Sequence, residues 1–216
     1  MKIGKIMRQI INGTVYLQAP LKAYELDDRI LKEKYGILVK KVDYDNDSDI
    51  GIWMSIIHAS YDDCSFTMQS ARDFLKCHPY MINTQSFVFL SMHTNTVVAT
   101  VSTGIYKANP SIGGDFRIGV IKGEQNKGYG RLCILYAFSK LASMGIKNGE
   151  SAIAFKRKES LNLHFSLGFR PQYNARYLAE QHPHVRMKNL NIILNVRLYL
   201  SYHRFLRRER GKYIIK

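Results

Sequence analysis

Val120-Ile121-Lys122-Gly123-Glu124-Gln125-Asn126-Lys127-Gly128-Tyr129-Gly130-Arg131 follows the apolar run Phe116 to Ile121 and precedes Leu132-Cys133-Ile134-Leu135-Tyr136-Ala137-Phe138, whose apolar spacing is helical. The order predicts strand, tight loop and helix. Glycines at the turn let the backbone fold closely and turn successive N–H groups into one concavity. The helix behind adds unpartnered N–H donors and the positive end of its dipole, and Lys127 and Arg131 add full charges. That is a cradle for an anion, phosphate or pyrophosphate; the competing reading is an ordinary glycine turn before a helix. Gly123 and Gly128 have the Walker A spacing, but Tyr129 stands where lysine is required. The dinucleotide fingerprint needs a third glycine at a spacing this loop lacks.

The remaining pattern is Gln125-x-x-Gly128-x-Gly130 with Val120 five residues before the glutamine. It resembles the acyl-CoA-binding motif of the GNAT superfamily of N-acyltransferases, and its Glu-Gln-x-Lys-Gly-Tyr-Gly wording is close to that of the histone acetyltransferase branch. A second segment, Ser160-Leu161-Asn162-Leu163-His164-Phe165-Ser166-Leu167-Gly168-Phe169, resembles that superfamily's Asn-x-x-Ala/Ser-x-x-x-Tyr-x-x-x-Gly-Phe signature. Counted back from Gly168, Ser160 takes the small position, His164 the tyrosine position and Arg157 the asparagine position; the last two depart from the commonest pattern. The resemblance covers roughly residues 37 to 190. It implies an α+β fold: a central mixed, mostly antiparallel sheet flanked by helices and splayed at a bulge in the acyl-CoA-binding strand.

The resemblance also implies roles. Backbone groups of Ile118, Gly119 and Val120 would meet the pantetheine arm and thioester of acetyl-CoA or another acyl-CoA. The N–H groups of Gln125, Asn126, Lys127, Gly128, Tyr129, Gly130 and Arg131 would hold the pyrophosphate. Arg157, with Lys156 and Lys158, would reach the pantetheine or the 3′-phosphate, or form a plain basic patch. His164 stands where the family's tyrosine protonates the departing thiolate; imidazole titrates near neutrality and suits that task or acceptance of the amine proton. Its alternative is a histidine packed at the end of an amphipathic helix. The glutamate that many relatives carry six residues before the valine is Gly114 here. Asp115 is the neighbouring candidate base, although alternation turns it to the other face unless the bulge re-aims it; a water relay is the rival.

Composition bounds the class. A chain of 216 residues buries one proper core. Cys64, Cys77 and Cys133 are odd in number and lack metal spacing, which suits reduced thiols in a cytoplasmic protein. No metal is expected; His182-Pro183-His184 offers two imidazoles without a third ligand. The first twenty residues make a poor signal peptide, and no run approaches the ~18 apolar residues of a membrane span. The net charge of +15 is unevenly placed: residues 1–106 balance, so the whole excess lies in residues 107–216 with both motifs. A polyphosphate cofactor would be drawn there, as would nucleic acid or an anionic membrane.

The coarse order is an N-terminal extension (1–36, with a helix within Glu25 to Tyr35), an acyltransferase domain (37–190) and a basic tail (191–216). Within the domain the patterns predict a strand at Ile37–Val42 and helices capped by Asp49 and by Ser65 or Thr67. They continue with a hairpin of Ser86–Ser91 and Val97–Ser102, a glycine-rich loop from Asn109 to Gly114, and the motif strand and helix. A strand at Ser151–Phe155 and a helix ending at Gly168 follow. Asp62 and Asp63 fall where the family shapes its acceptor pocket. In the tail, every even position from Ile192 to Tyr202 is apolar, as in a strand, yet a strand near Val185–Leu190 and a basic helix over about 196–210 fit better. Residues beyond about 203 are expected to be dispensable for fold and cofactor binding, and their arginines to serve weak polyanion binding or only a solvated face.

Three functions are compatible with these residues. The leading one is acyl transfer from acyl-CoA to an amine, by direct attack in a ternary complex. The others are acyl-CoA binding without catalysis and a basic nucleic-acid or membrane-surface binder. The acceptor, small molecule or protein amine, is not written in a cofactor motif.

Overall fold

The computed structural model describes residues 14–21, 25–61, 65–172 and 192–209. Its elements are β1 (Thr14–Pro20), α1 (Asp28–Tyr35), β2 (Ile37–Lys41), α2 (Asp47–Ser60), α3 (Met68–Lys76), β3 (Met81–Ser91) and β4 (Thr96–Tyr106). They continue with β5 (Ile112–Val120), a 3-10 turn (Lys122–Glu124), α4 (Tyr129–Ser143), β6 (Asn148–Ala154), α5 (Lys158–Ser166), β7 (Arg170–Pro171) and α6 (Ile192–Glu209). This is a mixed α+β fold with mostly antiparallel strands flanked by helices, as the resemblance implies. The described residues fall into two compact units, those within 20–149 and those of 14–19 with 150–172 and 192–209.

In the first unit the strands run in the order β2-β3-β4-β5, each antiparallel to the next. Both faces of the central strands are covered, so successive residues of β3 (86–89) and β4 (98–106) are buried rather than alternating. Phe87 and Phe89 of β3 pack with Leu132, Cys133, Tyr136 and Ala137 of α4, while Val88 between them packs with Ile50, Trp53, Ile56 and Ile57 of α2. A polar thread crosses the second layer: Trp53 Nε1 donates to Ser102 Oγ at 3.2 Å, and Ser102 meets Ser86 Oγ at 2.7 Å.

Helix α2 is anchored at its start by a buried carboxylate. Asn46 caps the helix by accepting from the Ser48 and Asp49 N–H groups. Asp49, 4% exposed, accepts from Lys40 Nζ at 2.5 Å and from the Asp43 N–H at 3.1 Å. The Lys40 hydrogen bond, against the cost of burial, holds the Asp49 carboxyl below the usual carboxylate range. Folding lowers this pKa, so the contribution is complete above the unfolded carboxylate value of about 3.9 and is lost as pH falls through the lower folded value. Asp49→Asn is expected to cost about 1–2 kcal/mol at pH 7 and to flatten the acid limb of stability, read by urea denaturation from pH 2 to 7.

Three expectations are corrected here. The cap of α2 is Asn46, and Asp49, expected as the cap, lies inside the first turn. The segment Asn109 to Gly114, expected as a glycine-rich loop, enters β5 at Ile112. Its glycine serves close packing: a Cβ on Gly113 would come within 2.6 Å of Leu141 Cδ2 on α4. The Ser86–Ser91 and Val97–Ser102 hairpin is also longer at its open end, reaching Met81 and Tyr106.

In the second unit the order is β6-β1-β7, with Leu17 opposite Pro171 and Gln18 opposite Arg170. Strand β1 falls in the stretch expected as an extension, and its polar Gln18 donates to the buried Glu150 at 3.0 Å. The tail forms the expected helix, beginning earlier at Ile192. Leu198 is buried, and Tyr202 and Phe205 lie with ring centres 5.1 and 5.6 Å from Phe165 of α5. The i, i+4, i+7 spacing of these three is helical, so the even-position alternation was incidental. Residues from 204 onward are therefore not all dispensable for packing, since Phe205 sits on α5. The strand expected near Val185–Leu190, His182, His184, Asp62 and Asp63 lie outside the described residues.

Candidate functional site

Strand β5 carries a bulge where the resemblance places one. Thr100 pairs with Gly119 and Ser102 with Phe116, so Val101 alone faces both Arg117 and Ile118. Arg117 absorbs the extra residue at φ +52°, a left-handed conformation that an arginine rarely adopts. Two consecutive side chains therefore share one face. Phe116 packs into the α2/α3 layer, and the Arg117 guanidinium lies over the rings of Tyr61, Phe66 and Phe74 at 5.5, 5.7 and 5.5 Å. Ile118 returns to the α4 layer.

The end of α2 holds the strand beyond the bulge. Tyr61 Oη donates to Ile118 O at 2.8 Å. The Ser60 hydroxyl is shared between Ile56 O at 2.7 Å and Val120 O at 3.3 Å. Gly119 lets the helix approach, because a Cβ there would stand 2.9 Å from Ser60 Oγ and 3.1 Å from Ile56 Cγ2.

After β5 the chain turns into the loop expected as an anion cradle. The Ile121 N–H still pairs with Val98 O at 3.0 Å, and Gln125 Nε2 lies 3.4 Å from Val120 O. Asn126 and Gly128 take positive φ, +63° and +92°. Helix α4 starts at Tyr129 with no side-chain cap, and the first N–H groups to find carbonyls are those of Arg131 and Leu132, both on Gly128 O. None of the N–H groups of Gln125 through Gly130 makes a loop or cap hydrogen bond of standard geometry to a backbone carbonyl of the described residues. A Cβ on Gly123 or Gly128 would meet nothing within 4 Å, so the concavity is open. Uncapped N–H groups around open space fit a pyrophosphate. Lys127 is ion-paired with both oxygens of Glu124 at 3.0 Å, which offsets its charge; Arg131 projects from the first turn of α4 and is exposed. Burial pushes the Cys133 thiol up, out of reach of thiolate chemistry.

The other expected site residues are placed as follows. Asp115 is buried in β5 opposite Thr103. It precedes the bulge, so alternation sets it on the face opposite Phe116, while backbone-only Gly114 occupies the Phe116 face. In the second unit, Arg157 is half-buried at the start of α5 and its N–H returns to Ala154 O at 2.9 Å. Lys158 stacks on Phe155 at 3.9 Å. His164 is 1% exposed; its Nδ1 lies 2.8 Å from Ser160 O, and its ring meets Phe169 edge-on at 5.1 Å. Sequence reasoning missed Arg117, Tyr61 and Ser60. Only the structure brings α2 against the bulge, although Tyr61 at the end of an apolar helix was a visible signal.

Among the described residues no group of three His, Cys, Asp or Glu side chains is placed to hold a metal ion, and no helix is long and apolar enough to cross a membrane.

Comparison with protein-family models and with curated protein sequences finds no match. Solved structures do match in fold. A GCN5-related N-acetyltransferase from Sphaerobacter thermophilus aligns with a TM-score of 0.56 at 13% identity, over 79% of this chain and 53% of its own. A protein described as a GNAT-family acetyltransferase from Novosphingobium aromaticivorans gives 0.51 at 13% identity, over 74% and 61%. A functionally unknown conserved protein from Staphylococcus epidermidis gives 0.54 at 12% identity, over 74% and 57%. The chain thus spans about half to three-fifths of the length of these three. With the bulged β5 and the uncapped α4 in view, the chain has a GNAT-like fold.

Proposed function

We propose that the chain transfers an acetyl or other acyl group from acyl-CoA to an amine by direct attack in a ternary complex. The observation that carries this reading is the bulged strand running through an open loop into a helix whose first N–H groups no side chain caps. Residues 125–131 would hold the pyrophosphate, and the backbone of Ile118, Gly119 and Val120 the pantetheine arm and thioester, with Arg157 as a further anchor. Acyl-CoA supplies an activated carbonyl joined to a good leaving thiolate. In the transfer an N–C bond forms and the C–S bond breaks; the amine loses one proton and sulfur gains one. Tyr61 and Ser60 keep the strand carbonyls fixed, so that its backbone needs no reorganisation as charge develops. Asp115, or water, is the group proposed to take the amine proton, and His164 the group to protonate the thiolate. The test is thiol release from acetyl-CoA across a panel of amines, with calorimetry for acetyl-CoA alone. Binding without release would favour the second reading, an acyl-CoA-binding protein, which the missing side chain at Gly114 supports.

The basic tail is proposed to bind polyanions. Arg204, Arg207 and Arg208 are exposed on α6. Replacing all three by alanine is expected to weaken binding to RNA or anionic vesicles at low salt by about 10-fold, an interaction that must itself fade steeply with salt. Because Phe205 is kept, the fold should survive. Indifference of the intact protein to both polyanions would make these arginines a solvated face.

A further inference from the structure

The arginine at the bulge is an unusual choice of residue. Any L-residue at φ +52° carries a conformational cost that glycine would avoid, and such outliers persist where the surroundings determine them. Here the surroundings are aromatic. Phe66 and Phe74 lie 5.3 Å apart, Trp53 backs Phe66 at 5.4 Å and Phe116 backs Phe74 at 5.8 Å, forming a wall that fixes the guanidinium. The guanidinium carbon lies 5.5–5.7 Å from three ring centres, within cation–π range, and a guanidinium held by rings alone keeps its N–H fork, the geometry that matches a carboxylate, for another partner. None of the ion pairs among the described residues involves Arg117. The side chain is half-buried, and it leaves the backbone one residue before the segment assigned to the thioester.

We propose that Arg117 is a receptor for a carboxylate carried by one of the two substrates: an acyl group ending in a carboxylate, or an acceptor amine that is also an acid, such as an α-amino acid. This rests on the acyl-transfer reading for its context and names the substrate class of that site. Arginine rather than lysine suits it, because the planar guanidinium offers a bidentate fork and the surrounding rings leave it less rotamer freedom to lose on binding.

The test compares wild type with Arg117→Gln, which keeps length and loses charge, and Arg117→Lys, which keeps charge and loses the fork. The acyl arm sets succinyl-CoA against acetyl-CoA in calorimetry. The acceptor arm sets α-amino acids against their carboxamides in thiol release. A third measurement follows the Arg117 Nε–Hε resonance, assigned by its loss in Arg117→Gln, during titration with succinate, glutamate and their neutral amides. The expected result is a preference of about 10-fold or more for the acid in one arm, absent in Arg117→Gln and partly kept in Arg117→Lys, with acetyl-CoA affinity within about twofold. The arm that shows it identifies which substrate carries the carboxylate. Equal treatment of acids and amides by a wild type that binds acetyl-CoA, or a preference that survives in Arg117→Gln, overturns the proposal and leaves Arg117 as a packing element of the aromatic layer. If neither thioester binds, the acyl-transfer reading fails and the resonance decides: a shift with succinate or glutamate and not with the amides sustains the receptor, and no shift overturns it.

Discussion

Gly128→Asp is expected to lower acetyl-CoA affinity by ~100-fold or more, about 2.7 kcal/mol, while the protein stays folded. Gly128 is the residue before α4, at φ +92° and ψ −7°, and no side chain caps the helix. A Cβ there would meet nothing within 4 Å, so the substitution brings no collision. It brings a backbone cost of order 1 kcal/mol for leaving glycine at positive φ, which aspartate bears better than most residues. Aspartate is also a favoured N-cap, so its carboxylate can accept the N–H groups that glycine leaves open and offset part of that cost. The same carboxylate then fills the cradle with negative charge and repels a pyrophosphate. Gly128→Asn separates the two effects: it caps without charge and should lose less affinity. Gly128→Ala carries the strain alone. Calorimetry on the folded variants gives the order, and unchanged affinity in Gly128→Asp would show that the loop does not hold phosphate.

The loop was legible in the sequence because its physics is local. Gly128 and Gly130, the run before them and the helical spacing after them lie within some twenty residues, and each constrains the next. The bulge was legible only through resemblance: nothing in Phe116-Arg117-Ile118 says that an arginine will take positive φ, because that depends on Val101 of the neighbouring strand. Gly113 was misread for a related reason. A glycine that opens a turn and a glycine that admits Leu141 look alike in one dimension. The aromatic wall around Arg117 draws on α2, on α3 and on Phe66 between them, so it exists only once α2 and α3 are laid on β5. Strand β1 escaped notice because its polar Gln18 finds its partner at Glu150, over a hundred residues away. The α6 face was half legible: its basic residues were plain and Leu198 and Tyr202 fit both periods, whereas Phe205 fits only the helical one, with Phe165 beneath Tyr202 and Phe205.

His164→Ala is expected to lower turnover by ~100-fold with little change in acetyl-CoA affinity, if the histidine moves a proton in the transfer. The geometry sharpens the test. A carbonyl can only accept, so the 2.8 Å contact to Ser160 O places the proton of the neutral ring on Nδ1. Nε2 is then the nitrogen that must gain a proton and hand it to the departing sulfur. The ring is 1% exposed and packs edge-on to Phe169, so removing it also opens space in the second unit. Alanine alone therefore confounds chemistry with packing. His164→Gln resolves this, since a glutamine amide can still donate to Ser160 O and fill most of the volume, yet has no titratable proton. A proton-transfer role predicts that Gln is as slow as Ala but recovers most of the thermal stability, and that the pH dependence of turnover loses a limb in both. A packing role predicts that Gln recovers turnover and stability together. A folded His164→Ala protein with nearly wild-type turnover would place this side chain in the core and leave the thiolate to be protonated by water.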